Sequence, residues 1–259
     1  DERILKYLDI DIRRVGAILS PESPLERKIS DYEYTDCWGV TRVYTGLYWD
    51  IKVSPLRGAS IDDLDSFPWP QAEKINIKQI EEFKEQAKKL YYETDYVVCA
   101  EHPVYGIFEL GCWMCGFDEF LLKMAAEPDF VFKFFDKILD YQKKVIEIYY
   151  GQLGEYIHFT TSGDDFGTQT GPFISPSMFD RMIKPYYKER ISYTKKFANV
   201  YYFHHTCGSV YSLIPSLIEA GVDILNPIQP GAKDMEPEKL KKDYGDLITF
   251  WGGIDTQHI

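Results

Sequence analysis

The sequence predicts a parallel α/β fold, and a (β/α)8 barrel of the TIM type is the best match. From residue 95 onward, short apolar runs alternate with amphipathic helical segments. The runs are DYVVCA (95–100), YIHFT (156–160), NVYYFH (199–204), VDILNP (222–227) and LITFWG (247–252). Such runs are typical of strands buried on both faces of a parallel sheet. Polar or ionisable residues follow the strands, as at the catalytic rim of barrel enzymes, and this favours a barrel.

Helical periodicity and capping signals place helices between these strands. A helix is predicted over 78–92, and Asn76 stands in the position of its N-cap. A long helix is predicted to begin at Pro128, because proline is favoured in the first helical turn. Ser175 is the predicted cap of a third helix, and Pro185 is predicted to kink it.

The N-terminal part of the chain has a different composition. The segment 32–55 is rich in Tyr, Trp, Thr and Val, with turn-forming residues at Thr45 and Gly46. This pattern favours short antiparallel strands. We therefore predict an N-terminal extension over 1–75 and a barrel body over 76–259, both within one domain.

Composition and charge exclude several classes of protein. The 259 residues include 41 acidic and 29 basic ones, a formal net charge of −12, without the basic block that nucleic-acid binding requires. No apolar run reaches the roughly 18 residues of a membrane-spanning helix, and the start DERILKYLDIDIRR is unlike a signal peptide. Five cysteines do not form a disulfide framework. We expect a cytoplasmic enzyme or binding protein with reduced cysteines, no nucleic-acid partner and no membrane.

The segment FHHTCG (203–208) has the highest density of potential metal ligands. His205 and Cys207 follow a predicted strand and could offer imidazole and thiolate to one ion, most plausibly zinc. Zinc needs three or four ligands, and H-x-C supplies two. The alternative is a buried histidine beside an inert cysteine.

The remaining cysteines are predicted to be structural. Cys112 and Cys115 form a C-x-x-C without a second such pair, in a segment rich in Leu and Met, so packing explains them better than metal binding. Cys37 and Cys99 lie in strand-like segments and are predicted to belong to the core.

Two adjacent carboxylates, Asp164 and Asp165, follow another predicted strand. Such a pair can raise one another's pKa and take part in proton transfer. The alternative is that one caps a turn while the other faces solvent. We favour that structural role for Asp164 and a catalytic role for Asp165.

Further polar residues at or just after the strand ends are candidates for substrate binding. They are Glu101, Gln169, Asn226, Gln229 and Asp255. The chain contains no Walker loop, G-x-G-x-x-G or G-x-S-x-G motif.

The stretch HTCGSVYSLIPSLIEAGVDILNPIQPGAKDMEPEKLKKDYGDLITFWGGIDTQ (205–257) resembles the uroporphyrinogen decarboxylase superfamily, and more narrowly its corrinoid-dependent methyltransferases. The segments 31–40, 55–70 and 163–188 are similar to the same branch. The resemblance implies a single (β/α)8 barrel with its site at the carboxyl-terminal mouth.

In that branch an H-x-C motif and a later cysteine hold zinc. His205 and Cys207 match the first two ligands, and the third is expected beyond residue 259. The resemblance also implies that 247–252 is the seventh barrel strand and that the last strand and helix are absent, so that either the sequence is a fragment or its last section is not included. Asp165 and Gln229 would orient the substrate or a zinc-bound water.

The resemblance therefore implies a zinc-dependent methyltransferase that moves a methyl group between a small methylated substrate, or a thiol or folate acceptor, and a corrinoid carried by a partner protein. The alternative is uroporphyrinogen decarboxylase itself. Arg13 and Arg14 do not form the RQAGR motif of that enzyme, and a charge of −12 does not favour a polyanionic substrate. A third possibility is a barrel that binds a small molecule or the corrinoid protein without catalysis.

Aromatic residues of the N-terminal extension have two expected roles. They either cover the barrel mouth or help to dock the partner protein, and core packing is the alternative for about half of them. They are Trp38, Tyr44, Tyr48 and Trp49.

Overall fold

The computed structural model describes residues 2–255. Its strands in chain order are β1 (Ile12–Val15), β2 (Arg27–Ser30), β3 (Glu33–Thr35), β4 (Thr41–Tyr44), β5 (Trp49–Val53), β6 (Val97–Glu101), β7 (Phe159–Gly163), β8 (Tyr201–His205), β9 (Ile224–Ile228) and β10 (Thr249–Gly252). Its α-helices are α1 (Glu2–Tyr7), α2 (Asp63–Ser66), α3 (Ile77–Glu93), α4 (Ile107–Cys115), α5 (Phe117–Ala126), α6 (Pro128–Leu153), α7 (Pro176–Met182), α8 (Lys184–Phe197), α9 (Ile214–Ala220) and α10 (Pro237–Tyr244).

A parallel sheet forms the centre of the molecule. Its strand order is β1-β6-β7-β8-β9-β10, and each neighbouring pair runs parallel. At least one helix lies between successive strands, which is the repeating β/α unit of a TIM-type barrel. The predicted fold class is therefore confirmed. Within residues 2–255, β1 and β10 are the two edges of this sheet.

All five strands that the apolar runs predict are present. The largest offset is at 156–160, where a 3-10 turn over Gly154–Tyr156 delays the start of β7 to Phe159. The run at 247–252 becomes β10, which is the sixth described strand of the sheet and not the expected seventh.

Strand β1 is a member of the parallel sheet that the sequence patterns did not identify. It lies inside the predicted N-terminal extension, yet it pairs with β6. Its sequence IRRV contains no apolar run, because an arginine, Arg13, occupies a buried position of the strand. The Arg13 guanidinium donates to Glu2 over 2.8 Å and lies 3.6 Å from the centre of the Tyr96 ring, so its charge is compensated.

The helices begin where the capping residues predict. The Asn76 side chain accepts from the first-turn amides of α3, and the Ser175 hydroxyl accepts from Met178 N at the start of α7. Pro185 lies in the first turn of α8, so the chain forms two short helices there instead of the expected kinked one. No described helix is long and apolar enough to cross a membrane.

A second, antiparallel sheet of β2-β3-β4-β5 precedes α2 in the chain, as predicted. Trp38 is buried and packs edge-on against Tyr141, with ring centres 5.0 Å apart. Tyr44, Tyr48 and Trp49 are exposed. The four aromatic residues therefore divide between core packing and the surface.

The core lies mainly between the parallel sheet and its helices. A smaller cluster of Cys99, Phe159 and Phe203 packs separately, with Ile12 and Ile224 at its border. Cys99 and Cys37 are buried free thiols, as predicted. The two core layers leave the carboxyl ends of the strands as the edge at which polar side chains gather.

Candidate functional site

Two neighbouring pairs of residues at the sheet edge each have one buried and one accessible member. His204 and Asp164 are fully buried, whereas the side chains of His205 and Asp165 are 45% and 38% exposed. His204 and His205 are successive residues of β8, whose side chains point to opposite faces, whereas the two aspartates follow the end of β7. One residue of each pair is therefore accessible to a ligand.

Asp165, His205 and Cys207 bring their donor atoms together at this edge. One ligand atom of each lies within 4.8 Å of the others. His205 Nε2 is 3.4 Å from Cys207 Sγ and 3.9 Å from Asp165 Oδ1. We call these three residues the donor trio.

The spacing and chemistry of the donor trio fit a zinc ion. In tetrahedral sites with bonds of about 2.0–2.3 Å, neighbouring ligand atoms lie roughly 3.3–3.8 Å apart. The nitrogen–sulfur and nitrogen–oxygen distances of the trio fall within or near that range. Imidazole, thiolate and carboxylate are also the zinc ligands of proteins. The third donor in the described chain is Asp165, whereas the sequence led us to expect a ligand beyond residue 259.

Asn226 sets the tautomer of His205. Its amide nitrogen donates to the carbonyl of Trp251, so its Oδ1 faces the imidazole and accepts from His205 Nδ1 over 2.7 Å. The proton therefore resides on Nδ1, and the lone pair of Nε2 points to the donor trio. Hydrogen bonds of this kind orient metal-binding histidines.

Hydrogen bonds between loops hold Cys207 in place. Its backbone amide donates to Asp165 Oδ1 over 2.8 Å, and the next amide, Gly208 N, donates to Gln229 Oε1 over 2.7 Å. Gly208 has φ +81°, and a Cβ there would lie 2.5 Å from the Thr168 carbonyl oxygen. The loops after β7 and β8 approach closely because this position lacks a side chain.

The Cys207 thiol is protonated at neutral pH when no cation is nearby. Burial and the Asp165 carboxylate raise its pKa to about 11. A bound divalent cation reverses this preference and favours the thiolate.

Asp164 has the structural role that we favoured for it. It accepts from Phe108 N and Glu109 N at the start of α4, over 3.0 and 2.7 Å, and from the Tyr187 hydroxyl over 2.7 Å. Burial is the main cause that raises the pKa of this carboxyl. The expected mutual effect of two adjacent carboxylates is therefore not the principal one.

Glu109 is a functional candidate that the sequence reasoning missed. It lies in α4, and burial together with Asp164 and Asp165 raises the pKa of its carboxyl. No lysine, arginine or histidine in the described chain forms an ion pair with it within 4.0 Å. A signal was available, because Glu109 is the only charged residue in IFELGCWMC.

Two clefts meet at Glu109 and Trp113. The aromatic cleft has a volume of about 510 Å³, and the residues that define it here are Phe108, Glu109, Trp113, Phe117, Asp165 and Phe173. The strand-end cleft has a volume of about 420 Å³, and its defining residues are Arg14, Glu101, Glu109, Trp113, His205 and Asn226. Each cleft thus includes a member of the donor trio.

The other predicted substrate-binding residues divide into two groups. Glu101 lines the strand-end cleft with Asn226, and it pairs with Arg14 over 3.1 Å. Gln169, Gln229 and Asp255 instead line a small pocket of their own. The structure places the predicted residues at one edge of the sheet without uniting them in one cleft.

The C-x-x-C cysteines are buried in α4, as expected for packing. Burial raises the pKa of Cys112 and of Cys115 well above the ordinary value. Neither belongs to a group of metal-binding side chains among the described residues.

Comparison with known proteins concerns both the family and the fold. The model of the family described as uroporphyrinogen decarboxylase (URO-D) matches residues 55–259. No curated protein matches the chain. A solved methyltransferase from Methanosarcina mazei is similar in structure, with a TM-score of 0.55 and 14% sequence identity. The match covers 91% of this chain and 64% of that one, and at this identity it supports a common fold.

Proposed function

The chain belongs to the uroporphyrinogen decarboxylase family, and we propose that it is a zinc-dependent methyltransferase that moves a methyl group between a small substrate and a corrinoid on a partner protein. The observation that carries the proposal is the donor trio, whose Asp165, His205 and Cys207 atoms lie within 4.8 Å of one another beside two clefts. The similarity to a solved methyltransferase supports the fold on which this proposal relies. The methyl group comes from a small methylated substrate or passes to a thiol or folate acceptor.

Zinc is the proposed cofactor, with His205, Cys207 and Asp165 as its protein ligands. When bound, zinc acts as a Lewis acid that polarises a leaving oxygen or lowers the pKa of a thiol acceptor. Three protein ligands leave a fourth position for such a group.

The remaining residues orient the ligands and the substrate. Asn226 holds the His205 imidazole so that its Nε2 lone pair faces Cys207 Sγ. Asp165 accepts from the amide of Cys207 and thereby fixes the loop that carries the thiol. In the proposal, Glu101 contacts the substrate in the strand-end cleft, while Gln169, Gln229 and Asp255 position its more distant part.

Uroporphyrinogen decarboxylase activity is the second candidate, and the charge of the clefts disfavours it. The residues around the aromatic cleft include the carboxylates of Glu109, Asp118 and Asp165 but only one guanidinium, that of Arg57. Arg57 is already paired with Asp118. A porphyrinogen with several carboxylates needs an excess of cationic groups, because like charges repel.

The metal content of the purified protein tests the zinc assignment. We expect about one zinc per chain by mass spectrometry, and less than a tenth of that in Cys207→Ala and His205→Ala. Cys115→Ala is the matched control, because it removes another buried thiol that lies outside the donor trio. Wild-type protein that binds no zinc after incubation with the metal would refute the assignment.

Turnover distinguishes the enzyme from a barrel that only binds ligands. Free cob(I)alamin serves as a stand-in for the corrinoid partner, and methyl compounds of several classes serve as donors. We expect methylcobalamin to form with the wild-type protein and its rate to fall by about 10³-fold or more in Cys207→Ala, since ligand removal abolishes the proposed Lewis acid. Zinc binding without methyl transfer to cobalt from any donor, or from methylcobalamin to thiols or folate, would favour the non-catalytic alternative.

A further inference from the structure

We infer that the aromatic cleft binds a methylated ammonium group, and this names the substrate class of the proposed methyltransferase. The assignment of this group as the substrate rests on the proposed function. Binding of the group in the cleft rests only on the walls and charges of the cleft.

Four aromatic rings form part of the walls of the cleft. Phe108, Trp113, Phe117 and Phe173 all line it, and the ring centres of Phe117 and Phe173 lie 4.8 Å apart in an edge-to-face arrangement. Aromatic faces carry negative electrostatic potential and attract cations, and quaternary ammonium groups are bound by such rings in many proteins. The cleft therefore favours a cation whose surface is made of methyl groups.

The balance of charge in the cleft points the same way. Asp118 and Arg57 neutralise one another across an ion pair. Glu109 and Asp165 then remain as the acidic side chains that face the cavity, and no lysine or arginine of the described chain forms an ion pair with Glu109 within 4.0 Å. A monovalent cation in the aromatic cleft is attracted by these acidic groups, whereas an anion is repelled.

A further cation, Arg42, lies behind the Trp113 ring and outside the cleft lining. The Arg42 guanidinium lies 4.6 Å from the centre of the Trp113 ring and 3.5 Å from the Asp36 carboxylate. Arg42 is not part of the cleft lining. Asp36 holds this guanidinium in an ion pair, and Arg42 lowers the pKa of Glu109 less than Asp164 and Asp165 raise it.

The position of the cleft relates the ammonium group to the donor trio. Asp165 lines the aromatic cleft and is also one of the three donors. A ligand that fills the cleft therefore lies next to these atoms. A methyl group on a bound ammonium is then adjacent to the donor trio, and its transfer to the cobalt(I) of the corrinoid would break the carbon–nitrogen bond and release a neutral amine. The ammonium nitrogen has no lone pair for a metal, so the donor trio would act on another polar group of the same substrate or on the returning acceptor.

Binding of two isosteric probes to the zinc-loaded full chain tests the inference. Choline and 3,3-dimethyl-1-butanol have the same shape, but only choline carries a charge. By calorimetry we expect choline to bind at least about tenfold more tightly than the alcohol. In Glu109→Gln this preference falls to about twofold or less, while affinity for the alcohol stays the same. Glu155→Gln, which removes an exposed carboxylate of the turn after α6, keeps the wild-type preference.

A second variant tests the aromatic walls. Phe173→Leu retains an apolar side chain but removes a ring, so we expect a severalfold loss for choline and little change for the alcohol. Equal affinity for both probes, or no binding of either, would overturn the inference. Zinc content is measured on the same samples. A protein that holds zinc but does not prefer choline to the alcohol refutes only the substrate class. A protein that prefers choline but holds no zinc refutes only the proposed metal centre.

Discussion

The two faces of the parallel sheet carry the same residue types with different consequences. On the helix side, Asp164 and His204 are fully buried. At the mouth, Asp165 and His205 are partly exposed and contribute two atoms to the donor trio. Each residue of one pair is the immediate chain neighbour of a residue in the other.

On the helix side, polar side chains bond mainly to other groups of the protein. Arg190 is buried and donates to His102 Nδ1 over 3.2 Å, so the His102 ring is neutral and its Nε2 donates to Thr194. Burial is the largest cause that lowers the pKa of His102 and of His204. These groups stabilise one arrangement of sheet and helices.

The comparison shows that access, and not residue type, separates the two roles. The carboxyl of Asp164 uses its oxygens on three donors of the protein. At the mouth, His205 Nε2 and Cys207 Sγ face one another at 3.4 Å with Asp165 beside them. Substitutions on the buried side are expected to change stability, and substitutions at the mouth are expected to change zinc binding.

The largest expected effect on stability comes from Asp164→Ala. The variant leaves two backbone amides at the start of α4 and a buried tyrosine hydroxyl without their acceptor. We expect a loss of roughly 3–5 kcal/mol in the free energy of unfolding, measured by chemical denaturation. Asp165→Ala is the matched variant at the mouth, and we expect it to change stability by about 1 kcal/mol or less. Equal losses in the two variants would remove the distinction between the faces.

Asn226→Ala tests how the mouth is organised. Without the acceptor for Nδ1–H, the His205 ring loses its fixed orientation. We expect zinc affinity to fall by about 10–100-fold, as measured by competition with a chromophoric chelator. Glu101→Gln is the control, because Glu101 lines the strand-end cleft but bonds to Arg14 and Thr161 and not to the donor trio. An unchanged affinity in Asn226→Ala would mean that His205 needs no such partner.

The smallest expected effect is a change in the pH dependence of stability. The pKa of His204 is lowered in the folded protein, so the unfolded chain takes up its proton first as the pH falls. Its contribution to stability is complete above about pH 6.5 and declines below it, by up to about 1.4 kcal/mol per pH unit.

His204→Phe removes this titration and keeps a ring against Tyr187, which lies 5.3 Å from the imidazole centre. Denaturation between pH 7.5 and 5 is therefore expected to show a shallower decline in the variant than in the wild-type protein. The same slope in both proteins would contradict the neutral, buried state of His204.

Much of the fold follows from local patterns in the chain. The apolar runs predict five strands of the parallel sheet, because a strand buried on both faces needs apolar residues throughout. Asn76 and Ser175 mark the starts of two helices, since only short polar side chains bond the first free amides. Strand β1 escaped detection because Arg13 is buried there by partners that are distant in the chain.

The candidate site could be predicted only in part from local sequence patterns. The order of residues in FHHTCG indicates His205 and Cys207 as possible metal ligands, and the resemblance to a known family supports that prediction. The third donor, Asp165, is 40 or more residues away in the chain, and its distance to the others depends on the pairing of β7 with β8. Glu109 enters the same site from α4, a helix whose composition otherwise indicates only packing.

The sequence by itself determined the strand and helix types, the acidic charge, the buried cysteines and the edge of the sheet at which polar residues collect. These properties depend on periodicity and composition, which are local. The sequence already favoured Asp165 and His205 as functional residues, but only the tertiary structure showed that their neighbours Asp164 and His204 are fully buried. The tertiary structure also decided that Asp165, His205 and Cys207 meet and that Glu109 lines both neighbouring clefts, because distances between residues far apart in the chain arise from strand pairing and helix packing.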